Sequence, residues 1–188
     1  MITNRVNLRL AAFICIVAST FMMVGCTTSE LSLAFTAFAD AISVGSVTST
    51  VLCGAGTIPA PVCNILLPAL SNAANVAPQV QAELNSTDPL AVQIAKCVAL
   101  LTPLVGQSVP GLSVEAQAIL SAVGEAAKAL ITELQSLLPA AAKLDANAKV
   151  GTSAHVPMTA GDRKAISDGV ALAHAAKARI VAYQSAHK

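Results

Sequence analysis

The chain has 188 residues, of which 55% are hydrophobic, 3% are aromatic and 11% are charged, and its formal net charge is +1. A chain of this length can hold one domain with a substantial core. Nucleic-acid surfaces combine clustered positive charge with aromatic side chains that stack on bases. With one tyrosine and no tryptophan, this chain offers few aromatic rings for such stacking, which argues against nucleic acid as a partner.

The first 24 residues have the pattern of an export signal. Arg5 and Arg9 are followed by the fifteen uncharged, mostly apolar residues 10–24. At about 1.5 Å per residue, fifteen helical residues reach only about 22 Å, which is less than the roughly 30 Å hydrocarbon core of a bilayer. The pattern therefore predicts a cleaved signal peptide rather than a transmembrane helix.

The end of this segment, Met23-Val24-Gly25-Cys26, resembles the lipobox of bacterial lipoproteins. Gly25 and Cys26 match the usual pattern, and Met23 stands where Leu is commoner. The resemblance covers about the first 27 residues and implies that diacylglycerol is attached to the Cys26 thiol, with further acylation, such as palmitate, at the new amino terminus. It divides the chain into a signal peptide, 1–25, and a mature domain anchored at Cys26, 26–188.

The alternative is an ordinary signal peptide that is cleaved near Ala18 or Gly25 and leaves Cys26 as a plain thiol.

The lipobox resemblance also implies a location. A single myristoyl chain binds membranes only marginally, so two or three chains are needed for stable anchoring. Lipoproteins retained in the inner membrane commonly carry Asp directly after the lipidated Cys, and here Thr27 follows. We therefore expect an exported protein, anchored in the outer membrane where the host has two membranes.

Charge is unevenly distributed along the predicted mature domain. Residues 26–95 contain four acids and no Lys or Arg, whereas residues 96–188 contain nine bases and six acids. Residues 41–82 carry no charge at all. Such a stretch is either the buried centre of a helical bundle or a hairpin that enters lipid. Its Asn, Ser and Gln side chains would be costly in hydrocarbon, which favours burial in protein.

The first half of the mature domain predicts two antiparallel helices. Apolar residues recur at spacings of four and three over about 30–52, with Thr27 and Glu30 spaced as a capping box at the start. The Gly- and Pro-rich stretch that follows cannot continue a helix. A second helix runs from about 61 to 84, bent or interrupted by Pro68 and Pro78.

Three further helices are predicted in the second half. The first begins with a capping residue and a proline in the sequence 86–89 and ends near 102–103. Ser113 caps a longer helix, and the last one begins near Thr159, with Asp162 three places on. The fold class is therefore all-α, a small bundle of about four to six helices behind the cleaved signal peptide.

The cysteines predict one disulfide. Cys15 leaves with the signal peptide and Cys26 carries lipid, so Cys53, Cys63 and Cys97 remain in an oxidising compartment. A Cys53–Cys63 bond is preferred because closing this short loop stabilises by roughly 3 kcal/mol. Cys97 lies among apolar residues, which favours a buried thiol over an intermolecular bridge. A Cys63–Cys97 pair is also compatible with the sequence.

No pattern for catalysis or cofactor binding occurs in the sequence. There is no GxSxG, HExxH or Walker motif, and no CxxC. His155, His174 and His187 are too scattered to form a metal-binding pair on one helix. We therefore expect a protein that is not an enzyme and that needs no cofactor or metal.

The last predicted helix offers a contact face. Lys164, Lys177 and Arg179 lie off its apolar side and are expected to face water, an envelope protein or an anionic envelope polymer. Together with the anchor, this favours a structural or partner-binding role at the cell envelope. The alternatives are a membrane-active protein whose uncharged hairpin 41–82 inserts into a bilayer, and an enzyme whose site one sequence does not reveal.

Overall fold

The computed structural model describes residues 29–106, 110–138, 156 and 158–187, and within these ranges it contains five α-helices and no strand. The helices are α1 Glu30–Gly54, α2 Ala60–Leu84, α3 Leu90–Leu101, α4 Val114–Ser136 and α5 Ala160–Ala186, with a 3-10 turn at Thr102–Leu104. The predicted all-α bundle is confirmed. The predicted signal peptide and Cys26 lie outside the described residues.

The central helix of the bundle is α1, which packs against α2, α4 and α5. One side of α1 is buried along its whole length at spacings of four and three, as the sequence predicts. The buried residues of this stripe are Leu31, Phe35, Phe38, Ile42, Gly45 and Ser49. Gly45 is part of it because Ile119 and Leu70 approach so closely that a Cβ there would lie 3.1 and 3.3 Å from their side chains.

The start of α1 differs from the prediction. Ser29 is the N-cap, and its hydroxyl oxygen accepts a hydrogen bond from the backbone N–H of Ser32 at 3.3 Å. Glu30 is therefore the first helical residue and not the third, so the predicted capping box of Thr27 and Glu30 is wrong. The side chain of a capping-box acid has to sit at the third helical position to reach back to the N-cap amide.

The α1–α2 hairpin is antiparallel, and α2 is continuous from Ala60 to Leu84. Pro68 and Pro78 do not interrupt it, although each removes one backbone hydrogen bond from the helix interior. Burial of the apolar side of α2 outweighs that cost. The residues buried there include Leu66, Leu67, Leu70, Ala73, Ala74, Ala77 and Val80.

The remaining helices begin largely where predicted. Ser113 caps α4 by accepting a hydrogen bond from the N–H of Ala116 at 3.3 Å. Thr159 and Asp162 form the capping box of α5. At α3, Pro89 is the N-cap and makes no side-chain capping bond, so the predicted side-chain cap before this helix is wrong.

Helix α5 runs parallel to α1 and also packs on α2. Two hydrogen bonds connect α1 with α5, one from Ser29 to Asp162 and one from Arg179 to Ser46. Each joins residues that are 133 positions apart, so the two helices keep a constant register. Between these bonds, a Cβ on Gly169 would lie 3.0 Å from the Phe35 ring. The absence of a side chain at Gly169 therefore sets how closely the two helices approach.

Parallel packing of α1 and α5 gives the bundle two distinct ends. We call the end that contains Ser29 and Asp162 the Asp162 end, and the end that contains the α1–α2 loop and the C-terminus of α5 the disulfide end. Helix α1 joins them and has 25 residues, or about 37 Å at 1.5 Å per residue. Among the described residues, α1 is also the one helix whose length and composition would allow it to cross a membrane, and half of its apolar window is buried in the bundle.

Candidate functional site

At the Asp162 end, one carboxylate joins the starts of α1 and α5. The Ser29 N–H donates to Asp162 Oδ1 at 2.8 Å, and both the N–H and the hydroxyl of Thr159 donate to Oδ2 at 2.8 Å. In return, the Asp162 N–H donates to Thr159 Oγ1 at 3.1 Å. Asp162 is fully buried, so these three donors replace the water that the carboxylate would otherwise bind.

The electrostatics of this junction favour the ionised carboxylate. Burial alone raises the pKa of Asp162, but the hydrogen bonds from the backbone and side chain of Thr159 and from Ser29 lower it more, so the net pKa lies well below its usual range. The positive ends of two helix dipoles also meet here, because α1 and α5 are parallel. Asp162 is thus a charged side chain that connects the starts of the first and last described helices.

Also near this end, an ion-pair cluster bridges α2 and α3. Lys96 Nζ lies 2.6 Å from Asp88 Oδ2 and 3.3 Å from Glu83 Oε2, and all three side chains are partly exposed. Hydrogen bonds with Asp88 and Glu83 raise the pKa of Lys96. The buried Gln93 amide donates to the Ser86 carbonyl at 2.6 Å and fixes the turn between the helices. Exposed pairs of this kind stabilise only weakly, so the cluster is secondary to Asp162.

At the disulfide end, Cys53 and Cys63 are joined with a Cα–Cα distance of 6.0 Å. This confirms the preferred pairing, and the alternative Cys63–Cys97 bond is wrong. Cys97 is a free, fully buried thiol on α3. Burial, with a smaller contribution from Glu83, raises the pKa of Cys97 to about 12, so the group stays protonated near neutral pH.

A half-open groove of about 590 Å³ lies at the disulfide end, between the start of α2 and the last turns of α5. The apolar residues Ile58, Leu67 and Val181 line it together with several polar residues and both cysteines of the disulfide. Tyr183 and His187 also line the groove, with stacked rings whose centroids are 4.1 Å apart. The His187 ring is held in place because its Nδ1 lies 2.9 Å from the Tyr183 carbonyl oxygen.

The three predicted contact residues of α5 do not lie on a single face. Lys164 pairs with Asp168 at 2.6 Å, and Arg179 donates to Ser46 Oγ at 3.2 Å, which directs it toward α1. Lys177 lies about 160° around the helix axis from Arg179. Whether any of the three binds a partner remains a prediction, but their geometry separates Lys177 from the other two.

Lys177 instead belongs to the side of α5 that borders the groove. It precedes Val181 by four residues and Gln184 by seven, and residues at these spacings lie on one helix face. Nothing in the sequence indicated the groove, since it forms only where the end of α5 meets a loop about 125 residues earlier. The one usable signal was the position of Tyr183 on the apolar side of the last helix.

Comparison of the chain with protein-family models, with curated proteins and with solved structures gave no match. Within the described ranges, no group of three or more His, Cys, Asp or Glu side chains could hold a metal ion. The features that the structure offers for function are the Asp162 junction, the disulfide and the groove beside it.

Proposed function

We propose that this protein is a lipid-anchored lipoprotein of the cell envelope, with a structural or partner-binding role carried by its helical bundle. The observation that supports this best is the hydrogen bond from the Ser29 N–H to Asp162. It ties the first described residue into the bundle three positions after Cys26, so hardly any chain separates the proposed lipid from the folded domain.

The short connection has a geometric consequence. Three residues of fully extended chain span at most about 10 Å. A bundle anchored through Cys26 would therefore have its Asp162 end next to the lipid head groups, while α1 carries the disulfide end up to about 37 Å away. Under this proposal, the Asp162 end meets the membrane and the disulfide end is available to a partner.

The anchor is tested by mass spectrometry of the mature amino terminus and by detergent phase separation. We expect a lipid-modified Cys26 in the wild type and, for Cys26→Ser, accumulated precursor or a protein released into the aqueous phase. Cys15→Ser is the matched control, because it removes the one cysteine of the predicted signal peptide and should leave the anchor intact. An unmodified wild-type amino terminus, or wild-type protein wholly in the aqueous phase, would refute the proposal.

A second candidate is insertion of the α1–α2 hairpin into a bilayer, which the length and composition of α1 favour. Against it, Ser46 and Ser49 of α1 are fully buried inside the bundle, and both would have to face lipid or a new partner after insertion. Dye release from phosphatidylcholine liposomes distinguishes the two functions. A structural or partner-binding bundle leaves the dye trapped, whereas release at low protein concentration would support insertion.

A further inference from the structure

The turn between α2 and α3 contains the acceptor pattern for N-linked glycosylation. In this pattern an Asn is followed by any residue except Pro and then by Ser or Thr. Asn85-Ser86-Thr87 fits it, and none of the other six asparagines of the chain does. Because a tripeptide can match by chance, its position in the fold decides whether a transferase could use it.

The structure places this pattern on the surface. Asn85 is the C-cap of α2, and residues 85–89 form the turn that leads to α3. Asn85 and Thr87 are both exposed, and neither side chain makes a hydrogen bond within the described part of the chain. The amide that would carry the sugar and the hydroxyl that completes the pattern are therefore both accessible.

The contacts that hold this turn leave the acceptor groups free. The Gln93 amide donates to the Ser86 carbonyl oxygen at 2.6 Å, and the Asp88 N–H donates to Ser86 Oγ at 3.4 Å. Both contacts involve the middle residue of the pattern, which can be any residue except Pro. The turn is thus fixed through Ser86, while Asn85 and Thr87 on either side of it remain exposed.

The turn also lies at the end of the bundle where a sugar donor would be found. Helix α2 runs antiparallel to α1, so Asn85 lies at the Asp162 end. Under the proposed anchoring at Cys26, this end is next to the lipid head groups. The sugars for N-linked transfer are carried on membrane lipids, and tethering raises the local concentration of an acceptor at that surface.

We propose that Asn85 is N-glycosylated by a membrane glycosyltransferase that uses a sugar linked to a lipid pyrophosphate. Asn85 Nδ2 forms a bond to the anomeric carbon of the sugar and loses one proton. The bond from that carbon to the phosphate oxygen breaks, and its electron pair leaves with the lipid pyrophosphate. The inference rests on the export that the proposed function includes, but it does not require a lipid at Cys26.

Mass spectrometry of the protein purified from the envelope of its native host tests both modifications in one digest. Cleavage after glutamate and lysine releases residues 84–96, in which Asn85 is the only asparagine, and residues 26–30, which begin with Cys26. We expect the first peptide to carry the added mass of one or more sugars. An unmodified Asn85 peptide as the only form would refute the glycan, whatever the state of Cys26. A glycosylated Asn85 beside an unmodified Cys26 would refute the anchor alone.

Four variants identify the modified atom. Asn85→Gln and Thr87→Ala should each lose the added mass completely, because neither retains the pattern. Thr87→Ser retains the pattern and should keep the sugar, and so should Asn72→Gln, which replaces an exposed asparagine outside the pattern. All three positions are exposed, so the variants should fold, which circular dichroism checks. An added mass that persists in Asn85→Gln, or one that is also lost in Asn72→Gln, would overturn the assignment to Asn85.

Discussion

At the Asp162 end, a buried carboxylate accepts three hydrogen bonds and joins α1 to α5, whereas at the disulfide end a covalent bond joins α1 to α2. The first connection depends on ionisation and the second on oxidation state. The two ends of one 37 Å helix should therefore respond to different changes in solution, acid for one and reductant for the other.

The groove also distinguishes the two ends. Leu31, Phe35 and Ile166 near the Asp162 end are buried. Near the disulfide end, Val181 is 51% exposed and lines the groove. Exposed apolar side chains around a concave surface are typical of a contact site. Under the proposed anchoring at Cys26, the groove lies at the end of the bundle that is far from the membrane.

The largest effect is expected from removing the covalent connection. The double variant Cys53→Ala and Cys63→Ala should lose about 3 kcal/mol of unfolding free energy, because the unfolded chain gains the entropy that the closed loop denied it. Urea denaturation followed by circular dichroism measures this. Reductant should destabilise the wild type by a similar amount and leave the double variant unchanged; an effect of reductant on the variant would show that the disulfide is not the group responsible.

A smaller loss is expected at the other end. Asp162→Asn keeps the shape of the side chain but offers one acceptor oxygen to three donors, so the unfolding free energy at pH 7 should fall by about 2 kcal/mol. Asp168→Asn is the matched control on the same helix, since it removes only the exposed pair with Lys164 and should cost about 0.5 kcal/mol. Equal losses for the two variants would contradict a special role for Asp162.

The two ends should differ in how their contributions to the unfolding free energy depend on pH. Because the folded-state pKa of Asp162 is lowered, its stabilising contribution is complete above the unfolded-state value of about 3.9 and is lost as the pH falls below it. The difference in unfolding free energy between wild type and Asp162→Asn should therefore shrink below about pH 4. Burial raises the pKa of Asp40, which acts in the opposite direction, but Asp40 is common to both proteins and its effect cancels.

The disulfide variant is the control for this pH experiment. Its acid limb should have the same slope as that of the wild type, because a disulfide does not titrate. A wild-type curve that runs parallel to that of Asp162→Asn down to about pH 3 would refute the lowered pKa.

The helices and the disulfide could be predicted because their signals are local. The stripe of α1, the start of α5 at Thr159 and the pairing of Cys53 with Cys63 each depend on residues within about one helix length of one another. The N-cap of α1 could not be predicted, since Thr27, Thr28 and Ser29 are all hydroxyl residues that can cap a helix. Ser29 also contacts Asp162, 133 positions away, and the local sequence gives no sign of that contact.

The same reason explains why the candidate site was missed. The groove exists because α5 packs parallel to α1, and that packing rests on the narrow buried side of α5 and on the small size of Gly169. A sequence shows which face of a helix is apolar. It does not show which other helix packs on that face, or whether the two helices run parallel or antiparallel. The predicted basic contact residues of α5 were chosen by type, and helix geometry then placed Lys177 beside the groove and Arg179 toward α1.

The smallest effect is expected in the chemical labelling of Cys97. Its labelling rate after reduction tests whether loss of the disulfide disturbs the rest of the bundle. In the reduced, folded protein, iodoacetamide should label Cys53 and Cys63, which are 9% and 5% exposed and line the groove, faster than the fully buried Cys97, as peptide mass spectrometry can determine. With a pKa of about 12, only about one Cys97 thiol in ten thousand is ionised near pH 8, and burial further hinders the reagent. Denaturant should make all three reactive. Labelling of Cys97 as fast as the other two without denaturant would mean that reduction had opened the core between α2 and α3. The two ends of the bundle would then unfold as one cooperative unit rather than independently.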